Sequence, residues 1–389
     1  MKSLVKFRSV SKTWNSLICN PSFILTNLQS SLSNKTTLLL IRGNKNGKLN
    51  YCLHYDNDGF DNFKQLQFPH FGNVTGNILV VGSCNGLICV QLYSLDYEDL
   101  KFVLWNPSIQ RYISLPPVTR IEFMVYNVGF GFDSRTNDYK LVVVGVDKGD
   151  SWIQPYLFLL SENCWKRVTT TLPTNYSHLS ARSWIAPFVN GVVHWLGYQK
   201  RNSGECSYAI LGFDLSAEGF FHINLPESFT GHGDLSSRIM GYGESCIAVF
   251  RNFRELRELW VMKEYGVVES WTKVLTLHGF KLGLCVLLVV GFRKNGQVLL
   301  QVHNVKMVLL DLNTQQMDAS LNLNCQQFDF HGCSNVVGSL CVNSYVESLV
   351  LLDKAVDVHS YSDVNHPIDS SDPDESSGGE RCKSSYRFK

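Results

Sequence analysis

The feature that most limits how this chain can fold is a strand-and-turn pattern that repeats about every fifty residues. From Thr36 onward, short runs rich in Val, Ile, Leu, Phe, Tyr and Trp alternate with Gly, Asn, Asp and Pro. This alternation is expected for short β-strands joined by tight turns. Asn-Gly pairs, which are a strong hairpin signal, begin at positions 46, 85, 190 and 295, and the last three pairs lie 105 residues apart. The chain therefore repeats a structural unit at a constant interval.

A second phrase recurs at half of that interval. It consists of a strand, a polar turn, an aromatic residue and a second strand that ends in Leu-Pro, as in KFVLWNPSIQRYISLPP, LFLLSENCWKRVTTTLP and AILGFDLSAEGFFHINLP. A unit of about fifty residues with about four strands is typical of a β-propeller blade. We therefore predict a mainly β protein in which residues 36–352 form a β-propeller of about six blades. A pair of β-sandwiches with coincidental spacing is the alternative.

Two apolar stretches extend this prediction. LCVLLVVGF at 284–292 is about half as long as a helix that crosses a bilayer, so we predict a buried strand there and expect no membrane partner. GSLCVNSYVESLVLL at 338–352 is predicted to close the ring against the first blade. Cys89, Cys285 and Cys341 stand singly inside strand-like runs, which favours reduced, buried thiols.

The charge balance and the two ends of the chain limit its partners and its compartment. The 35 basic and 34 acidic residues leave a formal net charge of +1. A nucleic-acid-binding protein usually carries a basic excess, so no nucleic-acid partner is expected. Residues 1–20 lack the apolar core of a signal peptide, which predicts a cytoplasmic or nuclear location. Residues 353–389, which are strongly polar from residue 359 onward, are predicted to be a disordered tail.

No arrangement typical of a catalytic, metal or cofactor site stands out, so none of these is predicted. GFGFD at 129–133 lacks the third glycine of a dinucleotide-binding loop. Cys325, His331 and Cys333 have no second ligand pair at zinc-binding spacing. His194 is predicted to be a half-buried histidine with satisfied hydrogen bonds. Four carboxylates are predicted to bond the backbone of their own turns: Asp133, Asp138, Asp214 and Asp311.

The first residues of the chain show a different period. Their apolar side chains recur at steps of three and four, which places them on one side of a helix. These side chains are Leu4, Phe7, Val10, Trp14 and Leu17. An apolar stripe needs a surface to pack against, so residues 1–35 are predicted to be a short helical segment that packs on a partner.

Several phrases together resemble a plant protein family. KSLVKFRSVSKTWNSLICNPSFI, near the N-terminus, resembles the C-terminal half of the plant F-box. The body resembles the plant F-box-associated interaction domain, a kelch-like β-propeller. The matching phrases occur in this order: SCNGLICV at 83–90, LWNPSIQRYISLP at 104–116, GFGFDSRTNDYKLVVV at 129–144, VNGVVHWLG at 189–197, FDLSAEGFFHINLPE at 213–227, LWVMKEYGVVESWTKV at 259–274 and YVESLVLL at 345–352.

The resemblance implies a function as well as a fold. Members of this family are similar to the substrate receptors of SCF-type cullin–RING ubiquitin ligases. The F-box helices would bind a Skp-type adaptor through the five side chains of the stripe, the propeller would bind a protein target, and the chain would perform no covalent chemistry. The target and its binding residues are unknown, and NFRELRE at 252–258 is either part of a partner surface or a solvated turn. A propeller enzyme or lectin that acts on a small molecule in the central channel is the alternative function.

The N-terminal segment departs from the family pattern. A family F-box begins with a Leu-Pro-x-Glu/Asp turn and a first helix, and then reaches a Leu-Pro-Val-Lys-Ser-Leu phrase. This sequence starts at the end of that phrase, with Lys2, Ser3 and Leu4 after the initial methionine. The comparison implies a partial F-box with weakened adaptor binding. It is either a truncated member of the family or a chain whose start codon was assigned downstream of the true one.

Overall fold

Three short helices precede the strands in the computed structural model of this chain. They are α1 (Lys2–Phe7), α2 (Lys12–Ile18) and α3 (Pro21–Ser33). The structure describes residues 1–33, 38–45, 48–57, 59–69, 78–92, 100–118, 121–147, 153–170, 176–179, 186–200, 206–226, 229, 237–253, 256–278, 286–302, 306–318 and 342–354. The predicted tail beyond residue 354 lies outside these ranges, as do Cys285 and Cys341.

The apolar stripe does not lie along one helix, because the chain leaves the helical conformation between α1 and α2. Ser11 has extended backbone angles (φ −159°, ψ 162°) and caps α2, since its hydroxyl accepts a hydrogen bond from the Trp14 N–H at 3.2 Å. A serine at this position satisfies a backbone N–H that a helix start leaves unpaired. Val10 lies in the connection, so the prediction that all five side chains share one side of a helix was wrong at this residue.

Six antiparallel sheets follow, and each forms one blade of a β-propeller. Blade 1 contains β1 (Leu38–Lys45), β2 (Lys48–Tyr55), β3 (Asn62–Leu66) and, from the other end of the chain, β25 (Val342–Tyr345). Blade 2 contains β4 (Ile78–Cys84), β5 (Leu87–Leu92), β6 (Lys101–Asn106) and β7 (Arg111–Ser114). Blade 3 contains β8 (Ile121–Asp133), β9 (Asp138–Asp147), β10 (Ile153–Leu159) and β11 (Cys164–Arg167).

The other three blades repeat the same order. Blade 4 contains β12 (Tyr176–Leu179), β13 (Phe188–Val189), β14 (Val192–Lys200), β15 (Cys206–Asp214) and β16 (Gly219–Asn224). Blade 5 contains β17 (Arg238–Tyr242), β18 (Cys246–Phe253), β19 (Leu256–Met262) and β20 (Trp271–His278), with a short 3-10 helix (Val268–Ser270) before β20. Blade 6 contains β21 (Val286–Phe292), β22 (Val298–Val302), β23 (Lys306–Leu310) and β24 (Met317–Asp318). In blade 4 the innermost strand has two pieces, since β12 and β13 both pair with β14.

The first and last of the described strands, β1 and β25, meet in blade 1 and close the ring. β25 pairs with β1, with Tyr345 opposite Leu38 and Asn343 opposite Leu40. β25 also touches the innermost strands of both neighbouring blades, β4 and β21. The C-terminal strand is therefore the innermost strand of a blade whose other three strands come from the N-terminal side. This arrangement confirms that the stretch predicted to close the ring, 338–352, contains the closing strand, and the pairing itself covers Val342–Tyr345.

In the described residues the core consists of six apolar clusters, one between each pair of neighbouring blades. β5 shows why its run LICVQL is buried throughout. Ile88 and Val90 face the cluster shared with blade 1, whereas Leu87 and Cys89 face the cluster shared with blade 3. A strand covered on both faces reads as a continuous apolar run. The same reasoning explains β21, which confirms the buried strand predicted within 284–292.

The Asn-Gly pairs lie at the turns between the first and second strands of blades 2, 4 and 6. Asn85 and Gly86 have φ values of +47° and +81°, and Asn190 and Gly191 have +53° and +81°. Two consecutive positive φ values define the tight hairpin turn that matches the twist of paired strands. The interval of 105 residues is therefore two blades, as the repeat predicted.

Candidate functional site

The helices and the connection between α1 and α2 carry all of the large apolar side chains that are strongly exposed in the described part of the chain. These side chains are Phe7, Val10, Trp14, Leu17, Leu25 and Leu32. Trp14 is 46% exposed and Val10 is 64% exposed. The rings of Phe7 and Trp14 lie 5.8 Å apart between centroids, so α1 and α2 present one shared aromatic surface. Exposed apolar side chains that cluster in this way mark a binding surface more often than isolated ones do.

The structure separates the five side chains of the predicted stripe into two groups. Phe7, Val10, Trp14 and Leu17 are exposed. Leu4 is instead half-buried and packs against the apolar cluster between blades 2 and 3. Two further exposed side chains, Leu25 and Leu32 of α3, were not predicted. Their spacing of seven residues, which is two helical turns, was the available signal in the sequence.

The opposite side of the helical segment packs on the ring. Ile18 is fully buried, and Ile24 and Leu28 are nearly so. Ile18 and Ile24 belong to the same apolar cluster as Ile109, which lies in the turn between the third and fourth strands of blade 2. Burial, and next the positive charge of nearby Arg8, lower the pKa of Arg111 at the start of β7. The helices therefore lie beside the turn between β6 and β7.

This location places the helices on one particular face of the ring. In an antiparallel blade, the turn after the first strand and the turn after the third strand lie at the same end. We call this end the hairpin face. The connection after the second strand and the one that leads to the next blade start at the other end, the opposite face. Because the turn between β6 and β7 belongs to the hairpin face, the helices cover part of that face.

A buried ion-pair network lies on the hairpin face between blades 3 and 4. The ammonium of Lys140 lies 2.8 Å from a carboxylate oxygen of Asp133 and 3.3 Å from one of Glu218, and it donates to the Leu215 carbonyl at 2.8 Å. Burial alone would raise the pKa of Asp133, but hydrogen bonds from Lys140 and Ser216 hold it well below its usual range. The side chains of Asp133 and Lys140 are almost inaccessible to solvent. The network thus joins two blades, and its central pair, Asp133 and Lys140, is closed to a ligand.

The carboxylates of Asp133, Asp214 and Asp311 bond the backbone of their own turns, as predicted, whereas Asp138 bonds the turn between β10 and β11, so the prediction was wrong there. Asp133 accepts from the Arg135 N–H, Asp138 from the Ser161 N–H, and Asp214 and Asp311 each accept from two N–H groups in their own turns. Each is therefore occupied in shaping a turn. Within the described residues, no group of three or more His, Cys, Asp or Glu side chains is arranged to hold a metal ion. Cys325, His331 and Cys333 lie outside those residues.

His194 joins blades 4 and 5. Its Nδ1 donates to the Pro187 carbonyl at 3.2 Å, and its Nε2 lies 2.7 Å from the Tyr265 hydroxyl and accepts from it. Burial lowers the pKa of His194 to about 4. The histidine is satisfied, as predicted, but it is fully buried, whereas the sequence suggested half burial.

The charged run at 252–258 contains a carboxylate, that of Glu258, which is buried in blade 5. Glu258 is buried, and its carboxylate lies 3.0 Å from the Lys273 ammonium and 3.5 Å from the Arg251 guanidinium. Burial alone would raise the pKa of Glu258, but hydrogen bonds from Lys273 and Trp260 lower it below its ordinary value. Glu258 is therefore a buried part of the blade and does not belong to a solvated turn.

No helix among the described residues has the length and apolar character that a membrane crossing requires.

The comparison with known families identifies the fold independently. The model of the F-box associated beta propeller domain matches residues 56–352. The chain belongs to this family. The match covers nearly all of the six blades and ends at Leu352, a few residues after β25.

Named relatives of this F-box-associated propeller come from Arabidopsis thaliana. F-box protein CPR1 is 29% identical over 345 residues, which are 81% of this chain and 79% of the relative. F-box/kelch-repeat protein At3g23880 is 28% identical over 291 residues, which are 72% of this chain and 76% of the relative. Among solved structures, TolB from Acinetobacter baumannii aligns with a TM-score of 0.45 and 11% identity, over 77% of this chain and 69% of TolB.

Proposed function

We propose that this chain is the target-binding subunit of an SCF-type cullin–RING ubiquitin ligase. In this proposal the helices bind a Skp-type adaptor, the propeller binds a protein target, and a separate enzyme of the complex transfers ubiquitin. The observation that carries the proposal is the exposed apolar surface of α1–α3 on a member of the F-box-associated propeller family.

The adaptor surface consists of Phe7, Val10, Trp14 and Leu17, with Leu25 and Leu32 of α3 beside them. Burying one large apolar side chain contributes about 1.5–3 kcal/mol, so a few of these residues suffice for a specific interface. Tryptophan is enriched among the residues that dominate binding free energy, and Trp14 is therefore assigned the central position. Leu4 has a different role in this proposal, because it packs on the ring.

The target is assigned to the opposite face of the ring. The helices occupy part of the hairpin face, so a protein bound at the opposite face does not compete with an adaptor for space. The connections between blades start at that face, and loops that join rigid elements commonly carry binding residues. The chemical identity of the target is left open in this proposal.

Calorimetric titration of a purified Skp-type adaptor into the full chain tests the proposed adaptor surface. We expect Trp14→Ala to weaken binding at least tenfold, which corresponds to about 1.4 kcal/mol. Lys12→Gln is the matched control, because Lys12 lies on the other side of the same helix from Trp14 and Leu17. Equal binding by wild type and Trp14→Ala, or equal losses in both variants, would contradict the proposal. Absence of adaptor binding by the wild-type chain would also contradict it.

A further inference from the structure

The chain remains buried after the strand that closes the ring. Residues 346–352 follow β25 on the hairpin face. Ser348, Leu349, Leu351 and Leu352 are each at most 3% exposed. Ring closure needs only the pairing of β25 with β1, which ends at Tyr345. The burial of these four residues beyond β25 therefore needs a separate explanation.

Polar contacts attach this segment to blade 2. The side-chain amide of Asn106, which is fully buried, donates to the Ser348 carbonyl at 3.0 Å, to the Ser348 hydroxyl at 3.2 Å and to the Val350 carbonyl at 2.8 Å. Arg111 donates to the Leu352 carbonyl at 3.1 Å. These contacts satisfy backbone groups of a segment that has no strand partner.

The other side of the segment meets the helices. Leu349, Leu351 and Leu352 belong to the same apolar cluster as Ile18 and Ile24, with Val350 packed against it. The charges around Lys64 also place α1 near this segment. Burial, and next the charge of Lys2 in α1, lower the pKa of Lys64 in β3, while Glu347 in the segment opposes that shift. Lys2 and Glu347 therefore both lie near the same side chain of blade 1.

We propose that residues 346–352 are a clamp that fixes α1–α3 to blade 2, and that the clamp is separate from ring closure. The segment supplies apolar side chains to the helices and backbone carbonyls to Asn106 and Arg111, so it binds both at once. The helices and the ring then move as one body. If the proposed function holds, an adaptor on the helices and a target on the opposite face are kept at a constant separation. The clamp itself does not depend on either partner.

Two glycines provide a matched test of this clamp. Gly86 and Gly191 occupy equivalent Asn-Gly turns and share a φ of +81°. A Cβ at Gly86 would clash with the Ser348 hydroxyl oxygen, whereas a Cβ at Gly191 would have no atom within 4 Å. Alanine introduces the same backbone strain at both turns, since an L-residue disfavours this φ. Only Gly86→Ala also displaces the clamp.

Hydrogen–deuterium exchange of the full-length variants measures the effect. We expect Gly86→Ala to increase amide exchange in residues 12–28 at least tenfold, with exchange in β1 and β25 unchanged. Gly191→Ala should leave residues 12–28 within twofold of wild type. Helices that exchange equally in both variants would overturn the proposal. Loss of protection in β1 together with the helices would also overturn it, because the clamp would then not be separate from closure.

A second variant keeps the test decisive if Gly86→Ala does not fold. Asn106→Asp keeps the oxygen that accepts from the Ser108 N–H but replaces the donating amide with an acceptor. The equivalent position in blade 4 is Asp214, which holds the same kind of turn, so a carboxylate is compatible with this turn. We expect faster exchange in residues 12–28 of Asn106→Asp and no change in the matched Asp311→Asn variant. Unchanged helix protection in Asn106→Asp would overturn the proposal.

Discussion

On the hairpin face, three junctions between neighbouring blades each depend on one polar side chain. Lys140 connects the first hairpin of blade 3 to the Leu215 carbonyl and Glu218 in blade 4. Arg293 connects the first hairpin of blade 6 to Asp56 in blade 1, at 2.9 Å and with both side chains almost fully buried. Together with the bonds of Asn106 to Ser348, these contacts show one rule. The first hairpin of a blade, or the segment in its place, is tied to the third-to-fourth-strand turn of the following blade.

The ion pair between Lys140 and Asp133 provides the first prediction. Asp133→Asn leaves a buried ammonium opposite a neutral amide. Breaking a buried pair by removing one partner typically costs about 3–5 kcal/mol, so a loss of that order is expected in the free energy of unfolding measured in urea. Asp311→Asn, in an exposed turn of blade 6, is the control and should lose less. Equal losses in the two variants would show that the turn bonds of the carboxylate matter and that its pairing with Lys140 does not.

The buried His194 provides a prediction about pH. Its pKa in the folded chain is about 4, and in the unfolded chain it is about 6.5. Above about pH 6.5 both states are neutral, and as the pH falls toward 4 only the unfolded state binds the proton. Stability should therefore decrease over that interval, by on the order of 3 kcal/mol. The difference in unfolding free energy between pH 7 and pH 4.5 should be clearly smaller in His194→Gln. An unchanged difference would contradict the assignment.

At the scale of elements, the order of the chain and the order of the strands in blade 1 differ. β25 is the last strand in the sequence but the innermost strand of blade 1. The pairing of β25 with β1 covers an edge of β1 that would otherwise be unpaired, and closing the ring gives each blade a neighbour on both faces. Each blade packs on two neighbours through apolar clusters, so no blade buries its faces alone.

Deletion of residues 338–352 tests this view of the ring. The deletion removes β25 and exposes the apolar faces of blades 1, 2 and 6 that contact it. We expect loss of the cooperative thermal transition for the whole propeller, followed by circular dichroism and by near-ultraviolet signals of the tryptophans. A soluble product with unchanged strand content and a sharp melt would show that closure by β25 is dispensable.

At the scale of the whole molecule, the helices make one face of the ring different from the other. The hairpin face carries α1–α3 and the buried segment 346–352, whereas the connections between blades start at the opposite face. The helical surface is apolar and exposed. The turns of the hairpin face instead carry carboxylates that bond backbone N–H groups, such as Asp133 and Asp214.

The polar tail provides the prediction at this scale. Residues 359–389 have a composition that cannot bury much apolar surface. Removal of these residues should therefore leave the melting temperature of the chain nearly unchanged. A decrease of several degrees, which corresponds to about 1 kcal/mol or more, would show that the tail packs on the rest of the chain. A variant that lacks residues 355–389 provides a second boundary for the same comparison.

The sequence alone was sufficient for the features that depend on local chemistry. The Asn-Gly turns at 85 and 190 were predictable because their conformation depends mainly on the two residues themselves. The carboxylates of Asp214 and Asp311 were predictable for the same reason, since they bond N–H groups within three residues. The repeat of about fifty residues then indicated the blades, because identical local patterns fold into similar units.

Only the tertiary structure decided which side chains are buried and which residues pair at a distance. Leu4 and Phe7 belong to the same stripe and to the same helix, yet one packs on the ring and the other is exposed, because the position of α1 against the ring decides which side of the helix is covered. Lys140 and Glu218, and Asn106 and Ser348, are far apart in the sequence and meet only where blades stack. Burial and pairing of this kind depend on the whole closed ring, and no local pattern encodes them.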